Sequence, residues 1–73
     1  MAHISIDTHE YLNSHGREPR GRGLWLFSIG IDGQWKEVRS SIWTPYAQAR
    51  RDAVQLARAW GRDASFVTVK VLP

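Results

Sequence analysis

His9, Glu10 and His15 form the one local cluster of residue types that bind metal ions or trade protons. Their spacing is His-Glu-x4-His. Metal-binding helices of the His-Glu-x2-His type set two imidazoles one turn apart on one face. Here the two histidines are six residues apart, and on an ideal helix they point about 120° out of line. That spacing argues against a shared ion. No Ser/His/acid arrangement can be traced in so short a chain. Cysteine is absent, so thiolate metal sites and disulfides are excluded, which fits a reducing, cytoplasmic setting. Neither a catalytic residue nor a cofactor is expected.

The second chemistry on offer is anion binding. Ten Lys and Arg face seven Asp and Glu, for a net charge of +3, and all but Lys36 and Lys70 of the ten are arginine. Arginine presents a planar fork that matches phosphate and carboxylate oxygens. Residues 16–23 form a flexible basic loop whose arginines, Arg17, Arg20 and Arg22, oppose only Glu18. Glycines 21 and 23 let its backbone approach a ligand closely, and arginine neutralises phosphate. A second row, Arg51, Arg58 and Arg62, lies along one side of a later helix with no acid four residues away. With Trp35, Lys36 and Arg39 on a nearby strand, the nucleic-acid candidates are Arg17, Arg20, Arg22, Trp35, Lys36 and Arg39.

The elements that must position these residues are legible from pattern. Seventy-three residues suffice for a single small domain (1–73) with a modest core. Ile4 and Ile6 alternate with polar residues as a short strand. Asp7 and Glu10 have capping-box spacing, which predicts a short helix to about His15, ended by Gly16 in a left-handed cap. Leu24 to Ile31 reads as a strand, and Asp32-Gly33 is a two-residue hairpin turn. A tight turn sets Ile31 opposite Gln34, Gly30 opposite Trp35, Phe27 opposite Val38 and Leu26 opposite Arg39. Trp25, Phe27, Ile29, Val38 and Ile42 then share one face, and Trp35, Glu37, Arg39, Ser41 and Trp43 the other. Thr44-Pro45 predicts a helix start with Thr as N-cap. Tyr46, Ala49, Ala53, Leu56, Ala57 and Trp60 form its apolar stripe, and Gly61 ends it. Val67, Val69 and Val71 alternate along a last strand.

The expectation is therefore an α+β domain. A four-stranded, mostly antiparallel sheet carries one major helix on one face. With the first helix the order is β-α-β-β-α-β, that of a ferredoxin-like split βαβ unit. Such a single layer leaves its other face open, and Leu24, Leu26, Trp35, Trp43, Phe66 and Leu72 point to it. Side chains of that size call for cover, by a second copy in a homodimer, by a protein partner, by a nucleic acid stacked on the tryptophans, or by the chain's own 8–23 segment. No stretch is long and apolar enough for a membrane span, and the first residues do not read as a signal peptide.

Arg20-Gly21-Arg22-Gly23-Leu24-Trp25-Leu26-Phe27 partly resembles the ribonucleoprotein motif of RNA-recognition domains, in its basic residue, two glycines and final aromatic. Arg22 and Leu24 stand where that family stacks bases on aromatics, and the stretch would fall on the second strand rather than the third. The hairpin followed by a helix is also similar in topology to the small DNA-binding domains of tyrosine recombinases, which would carry contacts at Trp35, Lys36 and Arg39. The expected function is a small non-enzymatic binding module. Charge points to DNA or RNA; the apolar outer face points instead to a protein-interaction or inhibitor domain.

Overall fold

A computed structural model of the chain describes residues 3–40 and 42–73. The elements are β1 (His3–Asp7), α1 (His9–His15), β2 (Arg22–Gly23), β3 (Leu26–Ile31), β4 (Gln34–Arg39), β5 (Thr44–Pro45), α2 (Tyr46–Trp60) and β6 (Phe66–Val71). Four strands form the main sheet in the order β1-β6-β3-β4, and β2 pairs with β5 in a small separate ladder.

The hairpin forms as a tight turn requires. Asp32 and Gly33 both have positive φ, 51° and 81°, and the pairing runs from Ile31↔Gln34 to Leu26↔Arg39. Trp35 lies flat over Gly30, where an added Cβ would come within 2.7 Å of its ring. α1 is a full helix: the Asp7 carboxylate accepts the His9 N–H at 2.9 Å, and Gly16 takes the left-handed cap at φ 71°. The N-cap is Thr8 rather than Asp7 and makes no side-chain cap bond, so the capping box does not form; Glu10 pairs instead with Lys70.

The sheet departs from the ferredoxin-like expectation. It is mixed, because β6 runs parallel to β1 and antiparallel to β3, and it carries two helices. A ferredoxin-like order would leave the last strand on an edge. Here β6 sits in the interior, between β1 and β3, and Val67, Val69 and Val71 are fully buried. A strand this apolar gains most where both neighbours and a helix cover it. Ala49, Ala53 and Ala57 provide that cover. They recur every fourth residue along α2, and their small side chains let the helix axis approach the valines.

Four local expectations are revised. Thr44 and Pro45 do not open the helix by side-chain capping; they pair with Gly23 and Arg22 as β5, and Pro45 is the N-cap in extended conformation. The chain is needed there to tie down the preceding loop. β3 begins at Leu26, two residues late, because the Trp25 N–H turns to the Ser40 hydroxyl at 2.9 Å. Gly61 closes α2 at φ −98°, not left-handed. Its role is spatial, since it is wedged against Val67. Ile42 is 68% exposed and Trp60 39%, so neither belongs to the core. β4 ends before Ile42, and Trp60 lies in the last turn of α2, where the Lys36 ammonium of β4 rather than an apolar side chain lies over its ring. Ser41, expected on the outer face, falls outside the described residues.

Gly61→Ala should cost about 1–3 kcal/mol, because the new methyl would run into Val67 Cγ2 and lie 3.0 Å from the Ala57 carbonyl oxygen. Gly30→Ala should cost less, since the half-exposed Trp35 ring can swing aside. Urea denaturation of the two variants measures the difference.

Candidate functional site

The basic loop is held at both ends. Gly16 turns the chain out of α1, Pro19 is buried, and the Gly21 carbonyl accepts the Tyr46 N–H at 2.8 Å. That bond satisfies one of the free donors in the first turn of α2. Arg22 and Gly23 then pair with Pro45 and Thr44. The loop is thus laid against the N-terminal end of α2.

Trp25 provides its floor. Its ring contacts Tyr11 at 5.6 Å between centroids and Tyr46 at 5.0 Å edge-on. Its Nε1–H donates to the Thr44 carbonyl at 3.0 Å, in a buried bond. His15 stacks on Tyr11 at 4.1 Å and 19°. Arg17, Arg20 and Arg22 stand around this aromatic base with Leu24 and Leu72, lining one cleft of roughly 310 Å³. All three arginines are exposed. The one ion pair among the described residues is Lys70–Glu10, at 3.4 Å, so no arginine among them is neutralised by a carboxylate within 4 Å.

The charge field reaches α2. Burial raises the pKa of Tyr46; the nearby Arg50 guanidinium opposes that shift and Glu18 adds to it. Arg50, Arg51 and Arg58 line a shallow groove on the outward side of the helix. Arg51 is steered by Gln48, whose side-chain oxygen accepts from it at 3.3 Å, while Gln48 donates to Asp52 at 3.0 Å.

The remaining candidates divide among other surfaces. Arg39 lies with Glu37 in a groove lined also by Leu26 that adjoins the loop cleft and shares Leu24, Trp25 and Pro73 with it. Trp35 is on the outer sheet face under the Lys70 ammonium, 4.9 Å from the ring centroid. Lys36 faces the helix side, 4.6 Å over the ring of Trp60. Trp35 and Lys36 therefore cannot serve one flat ligand.

The six apolar residues expected on the outer face fall into three pairs. Asp7, Lys70, Ser28 and Glu37 are matched in register and run across the sheet as a polar band. Trp35 and Phe66 lie on the hairpin-turn side of it, with Phe66 stacked on His3 at 5.4 Å. Leu26 and Leu72 lie on the other side, joined by the Leu72 N–H to Leu26 carbonyl bond at 2.9 Å. Leu24 follows β2 and Trp43 precedes β5, so both lie beyond the strands of the main sheet rather than on its outer face, 66% and 64% exposed. Alternation places a residue on a face, but the polar residues between had to be aligned by the register of β6 before the division could be seen.

His9, Glu10 and His15 do not converge: His9 meets Asn13 at 3.2 Å, Glu10 meets Lys70, and His15 meets Tyr11. Among the described residues no three His, Cys, Asp or Glu side chains are grouped to hold a metal ion, and no helix is long and apolar enough to cross a membrane. No protein-family model matches this sequence, and comparison with curated proteins and with solved structures returns no significant match.

Because the fold favours the neutral phenol of Tyr46, stability should be unaffected below the ordinary value of 10.0 and decline above it, where the unfolded chain sheds the proton first. Arg50→Gln should raise the Tyr46 pKa further, read by tyrosinate absorbance in a pH titration.

Proposed function

We propose that the protein is a small non-enzymatic binding module that takes the phosphate backbone of a nucleic acid across the cleft of Arg17, Arg20 and Arg22. The observation that supports this most is the convergence on one cleft, over an aromatic base, of three exposed arginines, none with a carboxylate within 4 Å among the described residues. Arginines that line one cleft give it a positive potential that an anionic ligand neutralises. Phosphate oxygens suit their forks. The exposed His15 ring offers a stacking surface for a base at the cleft wall. Arg39 lines the adjoining groove beside Glu37, and the reading does not need it. Trp35 and Lys36 lie outside the cleft, and the reading does not need them.

A second reading, a protein-interaction or inhibitor domain, draws on Leu24, Ile42 and Trp43, three large apolar side chains at least 64% exposed beside the β2–β5 ladder. The two readings separate by mutation: Trp43→Ser should impair protein docking and spare nucleic-acid binding.

Titration of labelled single-stranded and duplex DNA and RNA at about 50 mM salt tests the first reading. Binding should weaken with salt at a log–log slope of about −3 for duplex DNA, as expected for about three neutralised phosphates. Arg20→Gln and Arg22→Gln should each flatten that slope by about 1 and weaken binding to all sequences alike. Absence of binding to any of these polymers at low salt would sink the proposal.

A further inference from the structure

β4 is an edge of the main sheet. It pairs with β3 on one side and with no strand among the described residues on the other. Five of its six residues are exposed, and Val38 is half-buried. The hairpin sets the phase of its backbone. Across a two-residue turn, Ile31 and Gln34 are the first bonded pair, so Gln34, Lys36 and Val38 direct N–H and C=O toward β3. Ser40 continues the series and donates its N–H to the Trp25 carbonyl at 2.8 Å. Trp35, Glu37 and Arg39 therefore turn their backbone groups outward, as an unpaired row that another strand can use. Glu37 and Arg39 share the outer face, and neither makes an ion pair among the described residues.

We propose that β4 pairs antiparallel with β4 of a second copy, about a two-fold axis at Val38, joining two four-stranded sheets into one. The charges favour this register over its neighbours centred on Lys36 and Glu37. A two-fold axis perpendicular to the sheet sets each residue opposite one of the same facing. Centred on Lys36, the pairing opposes two lysines; centred on Glu37, it opposes two glutamates. Like charges directly opposite destabilise a ladder. Centred on Val38, it places Glu37 opposite the partner's Arg39 and Arg39 opposite the partner's Glu37. The two valines then meet on the helix side. Glu37 and Arg39 are also the residues whose backbone groups face outward, so each of these pairs exchanges two N–H···O=C bonds. Edge pairing of this length buries less surface than a standard interface, which makes the dimer a reversible one that forms at high concentration.

Sedimentation equilibrium up to millimolar protein tests the dimer. The native chain should show a monomer–dimer equilibrium. E37R and R39E should each raise the dissociation constant about tenfold, since each sets like charges opposite one another at two positions. The double variant E37R/R39E restores complementarity and should return the constant to near its native value. Circular dichroism checks that the variants fold, and if one single reversal unfolds, the other and the double variant still decide. A native chain that stays monomeric throughout overturns the proposal. So does a dimer indifferent to either reversal, or one lost in the single variants and not regained in the double.

Discussion

The indole of Trp25 gives its N–H to the Thr44 carbonyl and sets its ring between Tyr11 and Tyr46. Through that one side chain α1, the basic loop, β5 and the start of α2 are brought together. A buried carbonyl left without its donor costs roughly 1–3 kcal/mol, so the bond is worth more as a constraint than as a net gain. It fixes where Thr44 lies, and with it the β2–β5 ladder, the Gly21–Tyr46 bond and the approach of the arginine loop to α2. The rest of the core, three valines of β6 under three alanines of α2, supplies the burial that holds the sheet. Trp25 joins that core to the surface where the arginines stand.

That surface has an electrostatic character unlike the rest of the molecule. Where a carboxylate is within reach of a cation, on the outer face, Glu10 pairs with Lys70, and Lys70 also sits over Trp35. Lys36 likewise lies over Trp60. Both lysines are thus engaged within the chain, while the arginines of the loop and of α2 have no carboxylate within 4 Å among the described residues. Exposed ion pairs contribute little to stability, so their absence costs the fold little and leaves the forks free for a ligand. The same holds at the β4 edge for Glu37 and Arg39. There the two charges share the outer face two residues apart, so a two-fold axis at Val38 would set them opposite one another.

Much of this architecture could be read along the chain because it rests on short-range rules. Asp32-Gly33 can form a tight turn whatever surrounds it, so the hairpin register follows from the two residues and the strand period. Asp7 and Gly16 bracket α1 by local hydrogen bonding and backbone preference, though that helix has little apolar content of its own. Thr44-Pro45 misled because both residues suit a helix start in isolation, and nothing nearby in sequence announces the pairing with Arg22-Gly23, some twenty residues earlier. Trp60 and Ile42 misled for a related reason: periodicity says which way a side chain points, not whether a neighbour reaches that far. The loop arginines were visible as a group from composition. Their convergence on an aromatic base was not, since Tyr11, Trp25 and Leu72 are widely separated in the chain.

By itself the sequence determined the α+β class, the major helix, the hairpin with its register, and the location of the positive charge, because each depends on contacts within about one turn or one strand pair; the first helix it left open. Tertiary structure alone decided that β6 would enter the sheet between β1 and β3. Burying its three valines against both neighbours and α2 outweighs the preference for adjacent pairing. That insertion makes the sheet mixed, aligns Asp7, Lys70, Ser28 and Glu37 into a polar band, and leaves β4 as an edge strand. Long-range packing chose among strand orders that local patterns permit equally, and the surfaces available for binding follow from that choice.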